Sequence, residues 1–134
     1  MIIAIDFDGT CVSHEFPLVG KDIGSIPILK ELIEQGHQLI LYTMRSASSL
    51  QEAIQWFIDA GIELYGVQFN PTQAQWTSSN KCYAHMYIDD AALGIPLKYN
   101  LDLCNRPYVD WKKVRKLLIK QGLFKNTQIA LDQT

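Results

Sequence analysis

Ile2-Ile3-Ala4-Ile5 is an apolar run without alternation, and that constrains the fold more than any other feature of the chain. A strand with one wet face alternates apolar and polar residues. A strand covered on both faces reads as a continuous, β-branched run, the pattern of a parallel sheet. This run stops on Asp6-Phe7-Asp8-Gly9-Thr10. The chain therefore leaves the sheet and at once presents two carboxylates separated by one residue. In α/β sheets, ligands gather outside the carboxyl ends of the strands. An acidic pair placed there serves to hold a hard cation or to attack an electrophile. Asp-Gly is also an ordinary turn dipeptide, which accounts for Asp8-Gly9. It does not account for Asp6, because an uncompensated charge directly after a buried strand is costly.

The 134 residues suit a single domain with one sizeable core. With 48% apolar and 19% charged residues, the composition is that of a soluble globular protein rather than a disordered one. A net charge of −2 gives no global attraction to nucleic acid or to an anionic membrane. No run approaches transmembrane length, and Met1 leads into a strand with no basic leader, so a cytoplasmic location is expected. Cys11, Cys82 and Cys104 are odd in number, widely spaced and without a metal-ligand pattern, which fits a reduced protein.

Strand and helix signals alternate along the chain. After a polar loop over roughly 11–24, Ser25 is placed to cap a helix with Pro27 in its first turn, an apolar stripe of Ile28, Leu29, Leu32 and Ile33, and a stop at Gly36. Gln38 to Thr43 reads as the second strand. Ser48 or Ser49 then caps a helix whose stripe is Leu50, Ala53, Ile54, Phe57 and Ile58. A third strand covers about Glu63 to Phe69 and ends at Asn70-Pro71. An irregular polar stretch follows, and the fourth strand, Ala84 to Ile88, stops on Asp89-Asp90. A last amphipathic helix runs from about Val109 to Gln121, with Trp111, Val114, Leu117 and Leu118 inward. Strands separated by helical segments imply parallel pairing through right-handed crossovers.

That layout gathers polar groups at one edge of the sheet. Asp6 and Asp8 follow the first strand, Thr43 the second, and Asp89 and Asp90 the fourth. Carboxylates grouped in this way repel one another and raise their own pKa values unless a cation sits among them. Oxygen ligands without paired His or Cys favour Mg²⁺ over zinc. Mg²⁺ held by carboxylates keeps positions open for phosphate oxygens, and a hydroxyl (Thr43) with an ammonium (Lys81) supplies what a phosphate needs beyond the metal. Only eight positions separate Lys81 from Asp89, so a bent loop is required to present its amine. The constellation points to phosphoryl transfer.

Here the sequence resembles the haloacid dehalogenase superfamily of phosphatases and phosphotransferases. Asp6-Phe7-Asp8-Gly9-Thr10 is similar to its first motif, Leu41-Tyr42-Thr43 to its second, Lys81 to its third and Ile88-Asp89-Asp90 to its fourth. The resemblance spans residues 1 to about 97 and leaves the last helix uncovered. It implies an α/β, three-layer Rossmann-like sandwich around a central, mostly parallel sheet. It further implies Asp6 as the nucleophile that becomes an aspartyl phosphate, and Asp8 as the general acid and then the base. Mg²⁺ would be held by Asp6, the backbone carbonyl of Asp8, and Asp89, with Asp90 behind them. Thr43 and Lys81 would hold the phosphoryl oxygens. Members of that superfamily usually gain specificity from an inserted cap domain. Neither the gap after the first strand nor the dozen or so residues between Pro71 and Tyr83 can fold as one. An open site is therefore expected, on a phosphorylated substrate that is a small molecule rather than a macromolecule, with self-association as a way of covering it.

Other residues are set lower. Arg45 suits contact with a second anionic group of a substrate, or else a solvated loop. Asn70 and Trp76 are candidates for the entrance. His14, His37 and His85 form no cluster, and Lys112, Lys113, Arg115, Lys116 and Lys120 read as the solvated side of the last helix rather than a nucleic-acid face. A Mg²⁺-dependent phosphomonoester hydrolase leads the alternatives. A phospho-acceptor signalling module or a phosphotransferase would use the same acidic site. A receiver-type module carries its phosphorylated Asp at the end of the third strand, where this chain has Gln68-Phe69-Asn70-Pro71. A metal-binding glycosyltransferase would need a nucleotide-binding half that a chain this short lacks.

Overall fold

Four strands pair in parallel in the order β3-β2-β1-β4, formed by β1 (Ile2–Ile5), β2 (Gln38–Leu41), β3 (Gly66–Val67) and β4 (Met86–Ile88). The computed structural model describes residues 1–125. Because β1 lies between β2 and β4, with Ile3 beside both Leu39 and Met86, it is the central strand that its unbroken apolar run anticipates. Ile3, Ile5, Leu39 and Leu41 face one way. They form a single core with buried residues of α1 (Ser25–Glu34), α2 (Ala47–Asp59) and α3 (Trp111–Lys120). Ala4 and Ile40 are equally buried but lie on the opposite face and outside that core. With α1, α2 and α3 packed into that core, the segment joining β3 to β4 is what remains to cover the other face. The chain is thus an α/β, Rossmann-like sandwich, and neither of its long connections folds as a separate cap. No helix among the described residues is long and apolar enough to cross a membrane.

Several boundaries differ from the sequence expectation, each for a local reason. Ser25 does not cap α1. It is the first helical residue, and Asp22 Oδ1 accepts from Ser25 N at 2.9 Å and from Ile26 N at 3.3 Å. Ser46, rather than Ser48 or Ser49, is the N-cap of α2, and Ser49 Oγ accepts from Ser46 N at 3.3 Å. In that helix Ile58 is 61% exposed, while Trp56 sets its ring edge-on to Phe7 at 5.5 Å and takes the inward place. β3 keeps only two paired residues, since Gln68, with φ of 68°, turns the chain out of the extended conformation. β4 begins two residues late. Ile2 N donates to His85 Nδ1 at 2.8 Å, a side chain standing where a strand carbonyl would be.

No strand or helix signal in the sequence marks the segment between β4 and the last helix. The structure places there an antiparallel pair, β5 (Leu97–Lys98) with β6 (Tyr108–Val109). Val109, expected to open α3, belongs to this pair, and Asp110 caps the helix by accepting from Lys113 N at 3.2 Å. The rotation of α3 is fixed by Trp111, whose Nε1 donates to the Thr10 carbonyl at 2.7 Å in the interior. That rotation buries Ile119 and leaves Leu117 42% exposed, reversing the expected inward role of Leu117. Lys112, Lys113, Lys116 and Lys120 are exposed, and Arg115 pairs with Glu31 of α1 at 2.8 Å.

Ile119→Ala is expected to destabilise the protein by about 2–5 kcal/mol, the range for emptying a packed site. Leu117→Ala is expected to cost about 1 kcal/mol or less, the range for a surface position. Urea midpoints of the two variants measure the difference, and equal costs would mean that α3 is rotated otherwise.

Candidate active site

Parallel pairing brings the carboxyl ends of β2, β1 and β4 to one edge. The ladder runs just past the strands: Tyr42 N donates to the Ile5 carbonyl at 2.8 Å, and Asp6 N to the Ile88 carbonyl at 3.0 Å. Phe7 is fully buried, so alternation turns Asp6 and Asp8 away from the core. Both line a cavity of about 610 Å³ together with Thr43, Arg45, Asp89 and Asp90.

Asp6, Asp89 and Asp90 each offer a carboxylate oxygen within 4.8 Å of the others. This cluster of hard oxygen donors could hold a metal ion. Asp90, expected behind the metal, offers an oxygen in the cluster itself, and Asp8 contributes no side-chain oxygen to it. Burial pushes the Asp6 carboxyl up to about 8, and the Asp89 charge and the neighbouring Asp90 act in the same direction. Asp89 is raised as well, chiefly by burial. Thr10 braces the group: its hydroxyl lies 3.0 Å from Asp6 Oδ2 and accepts from Asp90 N at 3.0 Å. Gly9 has φ of 80°, and a Cβ there would collide with the His14 ring and the Asp90 carboxylate. Glycine is required at that position on both counts.

Asp8 is held differently. Arg45 grips it bidentately, Nε to Oδ2 and one terminal nitrogen to Oδ1, each at 2.8 Å. The remaining guanidinium N–H groups go to the carbonyls of Leu18 at 2.8 Å, Ser49 at 3.1 Å and Pro17 at 3.5 Å. Arg45 is 2% exposed, so it is neither a solvated loop residue nor open to a substrate anion. Thr43 Oγ1 accepts from Arg45 N at 3.1 Å and, among the described residues, donates to none, which leaves its proton for a ligand. Gln68 reaches over from just past β3 to fix this turn, accepting from Thr43 N at 2.9 Å and donating to the Thr43 carbonyl at 2.7 Å.

Lys81 does not line the cavity. Lys81 precedes β4, which the chain enters from the end opposite Asp89. Its ammonium lies 5.7 Å from the centre of the Tyr87 ring. Asn70 and Trp76 are also elsewhere. Asn70 is buried and donates to the Tyr83 carbonyl at 3.1 Å, bordering a separate hollow of about 630 Å³. Trp76 rests edge-on against Tyr83 at 5.3 Å.

Conversely, His14, Gln68 and Arg106 belong to the site and carried no sequence signal strong enough to place them there. His14 Nε2 lies 3.1 Å from Asp90 Oδ2 and 3.1 Å from the Pro107 carbonyl, tying the cluster to the loop between β5 and β6. Arg106, in that loop, lines the cavity. Cys11, Cys82 and Cys104 are buried and unpaired, with burial raising the Cys11 and Cys82 thiols.

Fold and site together define an α/β domain with an acidic cluster at the carboxyl edge of a parallel sheet. No family model matches the chain, and no curated protein does. A solved structure, that of a conserved protein from Bacteroides thetaiotaomicron, is 34% identical over 90% of this chain and 90% of its own, with a TM-score of 0.73. The chain belongs to the family of that protein. The likeness carries fold and kinship, and no activity.

The fold favours Asp6 in its neutral form when no cation is bound. That contribution is complete below the ordinary carboxyl value of 3.8 and is lost as pH rises through about 8. The metal-free protein is therefore expected to melt at a lower temperature at pH 9 than at pH 6. Mg²⁺, which binds the ionised carboxylates, should raise the melting temperature more at pH 9. Asp6→Asn should flatten both trends. Thermal melts in chelator and in Mg²⁺ measure this, and a pH-independent Mg²⁺ shift would count against the cluster as a cation site.

Proposed function

We propose that this protein is a Mg²⁺-dependent phosphomonoesterase that passes the phosphoryl group through an aspartyl phosphate on Asp6. The observation that carries the reading is the close grouping of Asp6, Asp89 and Asp90. They face a cavity across which Thr43 holds an uncommitted hydroxyl proton. Mg²⁺ bound among the carboxylates would offset their charge and attract phosphate oxygens. The donor set fits: oxygens alone, with Thr10 and His14 orienting the carboxylates from behind. The order of these groups along the chain, resembling the haloacid dehalogenase motifs, supports the same assignment.

Asp6 attacks phosphorus, the bond to the leaving oxygen breaks, and a proton from Asp8 goes to that oxygen. A water then attacks the aspartyl phosphate, Asp8 takes its proton, and inorganic phosphate leaves with Asp6 restored. Two carboxylates are needed because the nucleophile cannot also carry the proton. Asp8 is suited to the second role by its geometry, a carboxyl group aimed by Arg45. For the first role the proton sits on a remaining lone pair of an Asp8 oxygen, which weakens the bond that oxygen accepts from Arg45. Thr43 donates to a phosphoryl oxygen, and Lys81 takes no part.

p-Nitrophenyl phosphate should be hydrolysed in Mg²⁺ and not after chelation, and Asp6→Asn should be inactive. Asp8→Asn should lose on the order of 10²–10⁴-fold in turnover, the usual weight of general acid–base catalysis. With this activated leaving group it should accumulate phosphate on Asp6, seen as an acid-stable, hydroxylamine-labile mass addition. An active Asp6→Asn, or metal-independent turnover, would sink the reading.

A further inference from the structure

We propose that Arg106 recognises a second anionic group on the substrate, so that the phosphomonoesters taken here carry a further carboxylate or phosphate on the leaving-group side. The inference rests on the phosphomonoesterase reading and narrows its substrate class.

The cavity is lined by two guanidinium groups, those of Arg45 and Arg106. Arg45 is spent, since each of its five N–H groups already points at a protein oxygen. Arg106 is exposed, and among the described residues its side chain has no partner. Only its carbonyl is engaged, accepting from Cys104 Sγ at 3.1 Å. The base of the side chain is nevertheless fixed. Its neighbour Pro107 is held by His14, and the next residue, Tyr108, is 2% exposed. The loop thus presents an unmatched cation from a firm root beside a cavity rich in carboxylates.

Topology indicates which part of a substrate it meets. β1 lies between β2 and β4, so Thr43 and Asp90 flank Asp6 on opposite sides. The Arg106 loop joins the site through His14, on the Asp90 side. The carboxylate cluster therefore stands between this loop and the place where Thr43 would hold the transferring phosphoryl group. Arg106 is left facing the rest of the cavity, and about 610 Å³ is far more than a phosphoryl group needs. Phe16 and Met44, 62% and 97% exposed, line the same space and offer apolar contact to a carbon skeleton. A guanidinium fork matches either a carboxylate or a phosphate.

Four probes decide the matter: p-nitrophenyl phosphate, glycerol 3-phosphate, 3-phosphoglycerate and propane-1,3-diol bisphosphate, each with wild type, Arg106→Ala and Arg106→Lys. Wild type should favour one or both of the last two over glycerol 3-phosphate, and which one tells carboxylate from phosphate. Arg106→Ala should raise KM for the favoured ester on the order of tenfold to a hundredfold, the weight of a hydrogen-bonded charge pair. Its effect on p-nitrophenyl phosphate and glycerol 3-phosphate should be much smaller than on that ester, and Arg106→Lys should recover part of the loss. A uniform loss on all four esters would overturn the inference by giving Arg106 to the transferring phosphoryl group. Equal rates for Arg106→Ala and wild type throughout, or no preference for a second anion, would also overturn it. If wild type turns over none of the four, the phosphomonoesterase reading itself has failed.

Discussion

The pair between Arg45 and Asp8 organises the region around it, because a buried guanidinium must find acceptors for every N–H it carries. Arg45 finds two oxygens on Asp8 and carbonyls on Pro17, Leu18 and Ser49. One group therefore fastens the loop after β1, the chain running toward α1 and the first turn of α2. Its Cζ also lies 5.1 Å from the centres of the Phe7 and Phe16 rings, between a core aromatic and a cavity aromatic. Removing either partner would strand the other as a buried or half-buried charge, a loss on the order of 3–5 kcal/mol. Gln68 secures the same turn from just past β3 by donating to the carbonyls of Thr43 and Arg45.

On the other side of β1 the problem is repulsion. Adjacent parallel strands end at one level, so acids that follow β1 and β4 must crowd together whatever the cost. Thr10 shares hydrogen bonds with two of them, and His14 approaches a third oxygen, but three carboxylates still meet in one place. The strain falls on Asp6, whose carboxyl is pushed up to about 8. The two flanks of Asp6 thus differ in kind. The β2 side is an ion pair already satisfied, while the β4 side is an excess of negative charge suited to a cation.

The segment after β4 completes the site rather than merely following it. Val109 N donates to the Gly9 carbonyl at 3.0 Å, Trp111 reaches the Thr10 carbonyl and Pro107 takes His14. These bonds hold the loop that bears Asp6 and Asp8 from outside the sheet, and they explain why the first acidic motif and the last helix pack as one unit.

Local pattern was enough to determine the central buried strand, the parallel α/β class, the placing of Asp6, Asp8, Thr43, Asp89 and Asp90 at one edge, and the existence of α1, α2 and α3. Period and turn chemistry are properties of neighbouring residues, and parallel pairing then leaves no choice about which ends coincide. The tertiary structure decided whatever depends on a distant partner. Arg45 meets Asp8 across 37 residues, Asp90 meets Thr10 across 80 and Trp111 meets Thr10 across 101. No stretch of sequence around Arg45 distinguishes a solvated arginine from a saturated one. The rotation of α3 follows from one bond of Trp111, so Ile119 and Leu117 could not be ranked from the helical period alone. Lys81 and Arg106 show the same limit from opposite directions. A lysine in the expected order rests against Tyr87 and does not line the cavity, and an arginine from a segment with no recognised pattern does. Sequence order fixes which strand end a residue follows, but only the path of the intervening backbone fixes where its side chain arrives.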